Sequence, residues 1–117
     1  MYSQEETKKF YDKESTMYSG KRYTVQNTYV QYFFQTRLNV VKRFLKKILI
    51  NDRKTVLDIG CADGVVTRDI FDSFERNIDH MVGVDISSLM ISTARQITQS
   101  KYKIEYKMKE ELTEKDF

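Results

Sequence analysis

The sequence predicts an α/β fold, a parallel sheet of about three strands preceded by N-terminal helices. Two observations carry this. Short apolar runs ending at Asp58 and Asp85 alternate with amphipathic helical segments, and a third run with strand periodicity follows at residues 103 to 108. The crossovers between these runs are long enough to hold a helix each, which makes the strands parallel and the connections right-handed.

Taken in order, Ser3 followed by Glu6 has capping-box spacing and predicts a short helix over roughly residues 4 to 14. Ser19-Gly20 then breaks the pattern. Leu38, Val41, Leu45, Ile48 and Leu49 repeat at helical spacing, and Arg37, Lys42, Arg43, Lys46 and Lys47 fall mostly elsewhere around the wheel. This predicts an amphipathic helix that starts near Asn27 or Thr28 and runs to Ile50. Its basic residues near the C-terminal end suit the negative end of the helix dipole and read as a solvated face. Residues 55 to 59 read as a buried strand, and Val65 to about Glu75 as a helix with Val66, Ile70, Phe71 and Phe74 on one face. His80 to Asp85 forms a second strand, and Ser87 caps a helix that turns Met90, Ala94 and Ile97 inward. In the third strand Ile104, Tyr106 and Met108 alternate with charged neighbours.

The bulk numbers limit what such a chain can do. Its 117 residues are 40% hydrophobic, enough for one core. The net charge of +3 is the difference of 20 basic and 17 acidic residues, a mixed surface that argues against a nucleic-acid grip. The single cysteine, Cys61, excludes an intrachain disulfide and a cysteine-rich zinc site, and no metal site is expected; a reducing, cytoplasmic setting is. The polar start MYSQEETKKF is unlike a secretory signal, and no uninterrupted apolar run is long enough to span a bilayer. Six of the eight tyrosines precede residue 53 and three of the four glycines follow it, so the chain is expected to divide there, into residues 1–53 and 54–117 with different jobs.

In an open parallel sheet, ligands bind beyond the carboxyl ends of the strands, where Asp58 and Asp85 both fall. Between them Gly60 and Gly64 flank a tight turn into a helix, which lets a ligand approach the backbone closely. Asp85 is placed to accept hydrogen bonds from two ribose hydroxyls, so an adenosine-containing cofactor is expected. The dinucleotide fingerprint fails, because its second and third glycines are replaced by Ala62 and Val65, and no Gly-Lys-Ser/Thr of a phosphate loop follows. An acid at Asp58 would also repel a diphosphate, whereas it suits a ligand carrying an ammonium and a sulfonium. Asp63 reads as a turn former, Cys61 as a small loop side chain and His80 as lying at the end of its strand away from the ligand.

"VLDIGCADG", followed by "VGVDIS" and "MISTARQ", resembles the N-terminal half of a class I S-adenosylmethionine-dependent methyltransferase over roughly residues 54 to 110. The resemblance implies a Rossmann-like, incomplete methyltransferase fold and S-adenosylmethionine as cofactor. It implies that the loop containing Asp58, Gly60, Cys61, Ala62 and Gly64 contacts the methionine part. It further implies that Asp85 holds the ribose, that Ile86 packs on the adenine, and that Glu110, with Glu111 as rival, meets the adenine amino group. The opening "KKFYDKESTMYSGKRY" resembles the aromatic segment that caps the cofactor in many small-molecule methyltransferases, which would bring Tyr11, Tyr18 or Arg22 over the site; the same tyrosines serve equally as packing residues. A small-molecule methyl acceptor is expected, and no catalytic base is assigned. In the family the first strand is central, yet here it has no neighbour on one side, an arrangement that proteins avoid. The expectation is therefore a fragment of a longer protein, whose missing C-terminal half completes the sheet, or a homo-oligomer or other chain that does so. A non-catalytic module that assembles through this edge is the alternative.

Overall fold

The computed structural model describes residues 3–14 and 29–117. Two helices come first, α1 (Gln4–Glu14) and α2 (Tyr29–Ile48), followed by β1 (Lys54–Ile59), α3 (Val65–Phe74), β2 (Ile78–Asp85), α4 (Ser88–Ile97) and β3 (Ile104–Met108). Single 3-10 turns occupy Glu75–Asn77, Lys109–Glu111 and Glu114–Asp116. The strands are all parallel in the order β1-β2-β3, as the helical crossovers require. Ser3 caps α1 by accepting the Glu6 N–H at 3.1 Å, and Ser87 caps α4 by accepting the Met90 N–H at 3.1 Å.

Register puts Val56, Met81 and Ile104 side by side on one face of the sheet. There Ile70 and Phe71 of α3, Leu38 of α2 and Leu49 beyond it pack on the fully buried Met81. Further along this face Cys61, Ile91, Ala94 and Tyr106 form a second cluster. Each Leu, Ile, Phe or Met side chain removed from water here is worth about 1.5–3 kcal/mol. Below the opposite face the chain returns after β3. There the buried Asp116 accepts Lys107 Nζ at 2.9 and 3.1 Å, and its Oδ1 lies 4.0 Å from His80 Nε2.

Several expectations are corrected. The first strand is not buried: Lys54 and Thr55 are exposed, Val56 to Asp58 half-buried, and Ile59 is 77% exposed, because among the described residues β1 has a strand on one side only. On α2, Val41 and Ile48 face out, since the helix meets α3 and the sheet along a narrow stripe. On α4, Ile97 is exposed and Ile91 takes the inward place beside Met90 and Ala94. The inward side of that helix continues into Thr98, whose hydroxyl donates to Tyr106 Oη at 3.0 Å. The second strand begins at Ile78, two residues before His80.

Candidate functional site

The turn from β1 into α3 alternates left-handed residues: Gly60 at φ +79°, Ala62 at φ +51° and Gly64 at φ +84°. Two of these are glycine, the residue that adopts this conformation without steric cost, and Ala62 costs about 1 kcal/mol more. The turn is tied to the tip of β2. The N–H groups of Gly60 and Cys61 both donate to the Val84 carbonyl, at 2.7 and 2.9 Å, and the Ala62 N–H donates to Asp85 Oδ2 at 2.9 Å. Asp63 Oδ1 accepts the Val65 N–H at 3.3 Å, which makes Asp63 the turn former expected of it. The strained Ala62 is therefore held by an ionic hydrogen bond from the neighbouring strand.

Asp85 is held on both oxygens, because its Oδ1 accepts the Ser87 N–H at 2.9 Å. Each carboxylate oxygen keeps a lone pair for a further donor. Asp58 accepts the Thr67 hydroxyl on Oδ2 at 2.7 Å. Burial pushes the Asp58 carboxyl above the usual aspartate range, the Thr67 hydrogen bond partly opposes this, and the charge of Asp85 adds to it. The two acids thus share one electrostatic neighbourhood.

Two clefts meet at Gly60. One, of about 450 Å³, lies beyond the strand ends between Ala62, Asp85 and Ile86, with Thr7 and Tyr11 of α1 on one side and Leu112 on the other. The other, of about 190 Å³, lies between β1 and α2 and is lined by Asp58, Cys61, Phe34 and Arg37. Gly60 lines both clefts, and among the described residues a side-chain atom added there would meet nothing within 4 Å. Gly64 does not open to this space: an added Cβ would lie 2.8 Å from Cζ of Tyr106, and its glycine is required for packing as well as for its φ. Another groove, of about 490 Å³, runs beside β3 among Arg95, Glu105 and Lys107 and includes none of the loop or the two acids.

The expected residues fall as follows. Gly60, Ala62, Asp85 and Ile86 line the larger cleft, together with Tyr11. Asp58, Gly60 and Cys61 line the smaller one. The Cys61 thiol is buried against Gly83, and desolvation, followed by the charges of Asp58 and Asp85, pushes it well above the ordinary thiol range; this is the small loop side chain expected, not an activated nucleophile. Glu110 is exposed in a neighbouring groove that touches Ile86 and α1, and Glu111 pairs with Arg95 at 3.2 Å. Tyr18 and Arg22 lie outside the described residues. His80 is remote from both clefts and approaches Glu105 and Asp116, three groups whose donor atoms lie within 4.8 Å of one another. The Lys107 ammonium, bonded to Asp116 and 3.6 Å from Glu105, offsets one of that group's two carboxylate charges.

Sequence reasoning missed the residues that support the site. Thr67 holds Asp58, and Tyr106 lies across Gly83 and under Gly64. Arg68 donates to the Asp63 carbonyl at 2.8 Å and to Thr98 at 3.0 Å, joining the turn to α4. The signal for Tyr106 was Gly83, a glycine inside an apolar strand, which marks close approach by something bulky.

The sequence family described as methyltransferase domain matches residues 50–115, more than half of the chain. An uncharacterized methyltransferase of Schizosaccharomyces pombe is 34% identical over 65 residues, which cover 56% of this chain and 24% of that protein. Among solved structures, magnesium protoporphyrin IX methyltransferase from Synechocystis PCC 6803, with bound SAH, superposes with a TM-score of 0.73 at 16% identity, covering 95% of this chain and 54% of that one. The DhpI complex with SAH superposes at 0.60 and 20% identity, covering 90% and 44%. The chain thus spans about a quarter of its curated relative and about half of these structures, and at such identities the superpositions establish the fold. Family match and fold agree, and the chain belongs to the methyltransferase domain family.

Proposed function

We propose that the two joined clefts bind S-adenosylmethionine and that the chain is the cofactor-binding part of a methyltransferase whose acceptor is a small molecule. The observation that carries this reading is Asp85. It stands at a strand tip, oriented by two backbone N–H groups, with free lone pairs facing a cleft large enough for a nucleoside. Such a carboxylate accepts both hydroxyls of a ribose. The apolar walls formed by Ile86, Leu112 and Tyr11 suit an adenine ring.

The open space over Gly60 supports passage of the ligand from this cleft toward Asp58. A carboxyl that burial disfavours as an anion gains most from an arriving ammonium, which Asp58 would meet at the methionine end. A diphosphate in the same place would face Asp58 and Asp85 together, which argues against a dinucleotide. When bound, S-adenosylmethionine supplies a methyl group already activated on sulfonium. The work left to this chain is to orient that group and exclude water, which the loop, Asp85 and the α1 side of the cleft are arranged to do. The division into a helical cap over residues 1–53 and a cofactor unit over 54–117 belongs to the same proposal. So does the completion of the sheet, at the open edge of β1, by further polypeptide carrying the acceptor-side groups.

A thermal-shift comparison tests the ligand class. S-adenosylhomocysteine at roughly 100 times its Kd stabilises by about 2.7 kcal/mol, on the order of 10 °C for a chain of this size, and NAD leaves Tm unchanged. Stabilisation by NAD and not by S-adenosylhomocysteine would reverse the assignment.

A further inference from the structure

Ser87 is a fully buried residue at which three hydrogen bonds meet. Its N–H donates to Asp85 Oδ1 at 2.9 Å, its hydroxyl oxygen accepts the Met90 N–H at 3.1 Å, and its hydroxyl proton is donated to Asp12 Oδ1 of α1. Capping α4 needs only the acceptor side of this hydroxyl. The proton, buried, still requires a partner, and leaving it without one carries a desolvation cost. Asp12 supplies that partner from a helix otherwise remote in sequence, and α1 thereby rests on the start of α4. The same docking brings Thr7 and Tyr11, one helical turn apart, to the wall of the cleft that contains Asp85. A continuous relay therefore runs from Asp12 through Ser87 to Asp85, and from Asp85 to the Ala62 N–H of the turn.

We propose that Asp12 is a positioning residue for the cofactor: by binding the Ser87 hydroxyl it holds α1 over the cleft and keeps the Ser87 N–H aimed at Asp85. This rests on the reading of Asp85 as the ribose acid. The relay makes α1 and the ribose site one unit, so loosening the helix also loosens the carboxylate that the ribose meets. Asp12 belongs to neither core cluster.

The test is titration calorimetry of wild type, Asp12→Ala and Asp12→Asn with S-adenosylhomocysteine and with its 2′-deoxy analogue, together with amide exchange of the ligand-free proteins. Asp12→Ala binds S-adenosylhomocysteine about 10-fold more weakly, and Asp12→Asn, which keeps an acceptor oxygen, stays within about 2-fold. The loss in Asp12→Ala is smaller for the 2′-deoxy ligand, a dependence that a general loosening of the protein would not produce. Equal losses for the two ligands, or wild-type affinity in Asp12→Ala, would overturn the proposal. If wild type binds neither ligand, the cofactor reading fails by itself, and the exchange data then decide the latch. Faster exchange across α1 in ligand-free Asp12→Ala but not in Asp12→Asn supports it, and unchanged exchange in both overturns it.

Discussion

Asp58 shows how a single residue can serve a ligand at the expense of the ligand-free fold. Its carboxyl is held above the ordinary value of 3.8 chiefly by burial. A folded-state pKa raised in this way favours folding below the unfolded value, and that contribution is lost as pH rises through the folded value. Asp58→Asn cannot ionise and keeps an oxygen for the Thr67 hydroxyl. Its Tm should therefore match or exceed wild type at neutral pH, with the difference closing in acid. Binding of S-adenosylhomocysteine should weaken about 10-fold, as expected when one charge-assisted contact is lost. Denaturation curves across pH and one calorimetric titration check both halves. The placement of Asp58, Gly60 and Asp85 at the strand ends was legible in the sequence, because apolar runs that stop at an acid or a glycine mark where strands end. Thr67 and Asp12 were not, because their roles arise from contacts across 9 and 75 residues of chain that no local pattern records.

At the scale of elements, periodicity placed every described helix and strand within a few residues but misjudged which sides were covered. Ile97 satisfies the spacing of an inward face on α4, yet Thr98 and its hydrogen bond to Tyr106 occupy that place. The return segment after β3 was not legible at all. Its anchor is Asp116, which burial alone would raise, but which Lys107 and the Thr113 N–H hold below 3.8. The sign is opposite to that of Asp58: stability from a lowered carboxyl is complete above the unfolded value and is lost as pH falls through the folded one. His80 and Glu105 are the remaining titratable groups that face this anchor. The Thr113 amide, which donates to Asp116 Oδ2 at 2.8 Å, should therefore stay protected at neutral pH and lose protection below pH 3.8. Asp116→Asn should weaken that protection at neutral pH, with the difference from wild type closing in acid. Amide exchange followed by NMR reads both effects.

For the whole molecule, the open side of β1 dominates. Ile59 is 77% exposed at its end, and Tyr32, Val41 and Phe44 of the nearby α2 are also exposed. The outer strand β3 carries Glu105 and Lys107, charges of the kind that discourage pairing, whereas β1 carries Val56, Leu57 and Ile59 along its length. That the first strand would be open on one side was expected from the family resemblance, in which this strand is central. What extends it is not written in these residues. Kept alone in solution, the chain should associate as its concentration rises in light scattering, and Ile59→Lys should reduce that association. A strictly monomeric wild type would mean that the edge is tolerated as it stands. The central claim, that a cationic adenosine ligand lies between Asp85 and Asp58, is tested most directly by titration calorimetry of S-adenosylhomocysteine into wild type and Asp85→Ala. Saturable one-to-one binding by wild type, weakened at least about 10-fold by loss of the ribose acid, is the predicted result. No heat of binding to folded wild type at millimolar ligand, or equal affinity in Asp85→Ala, would contradict it.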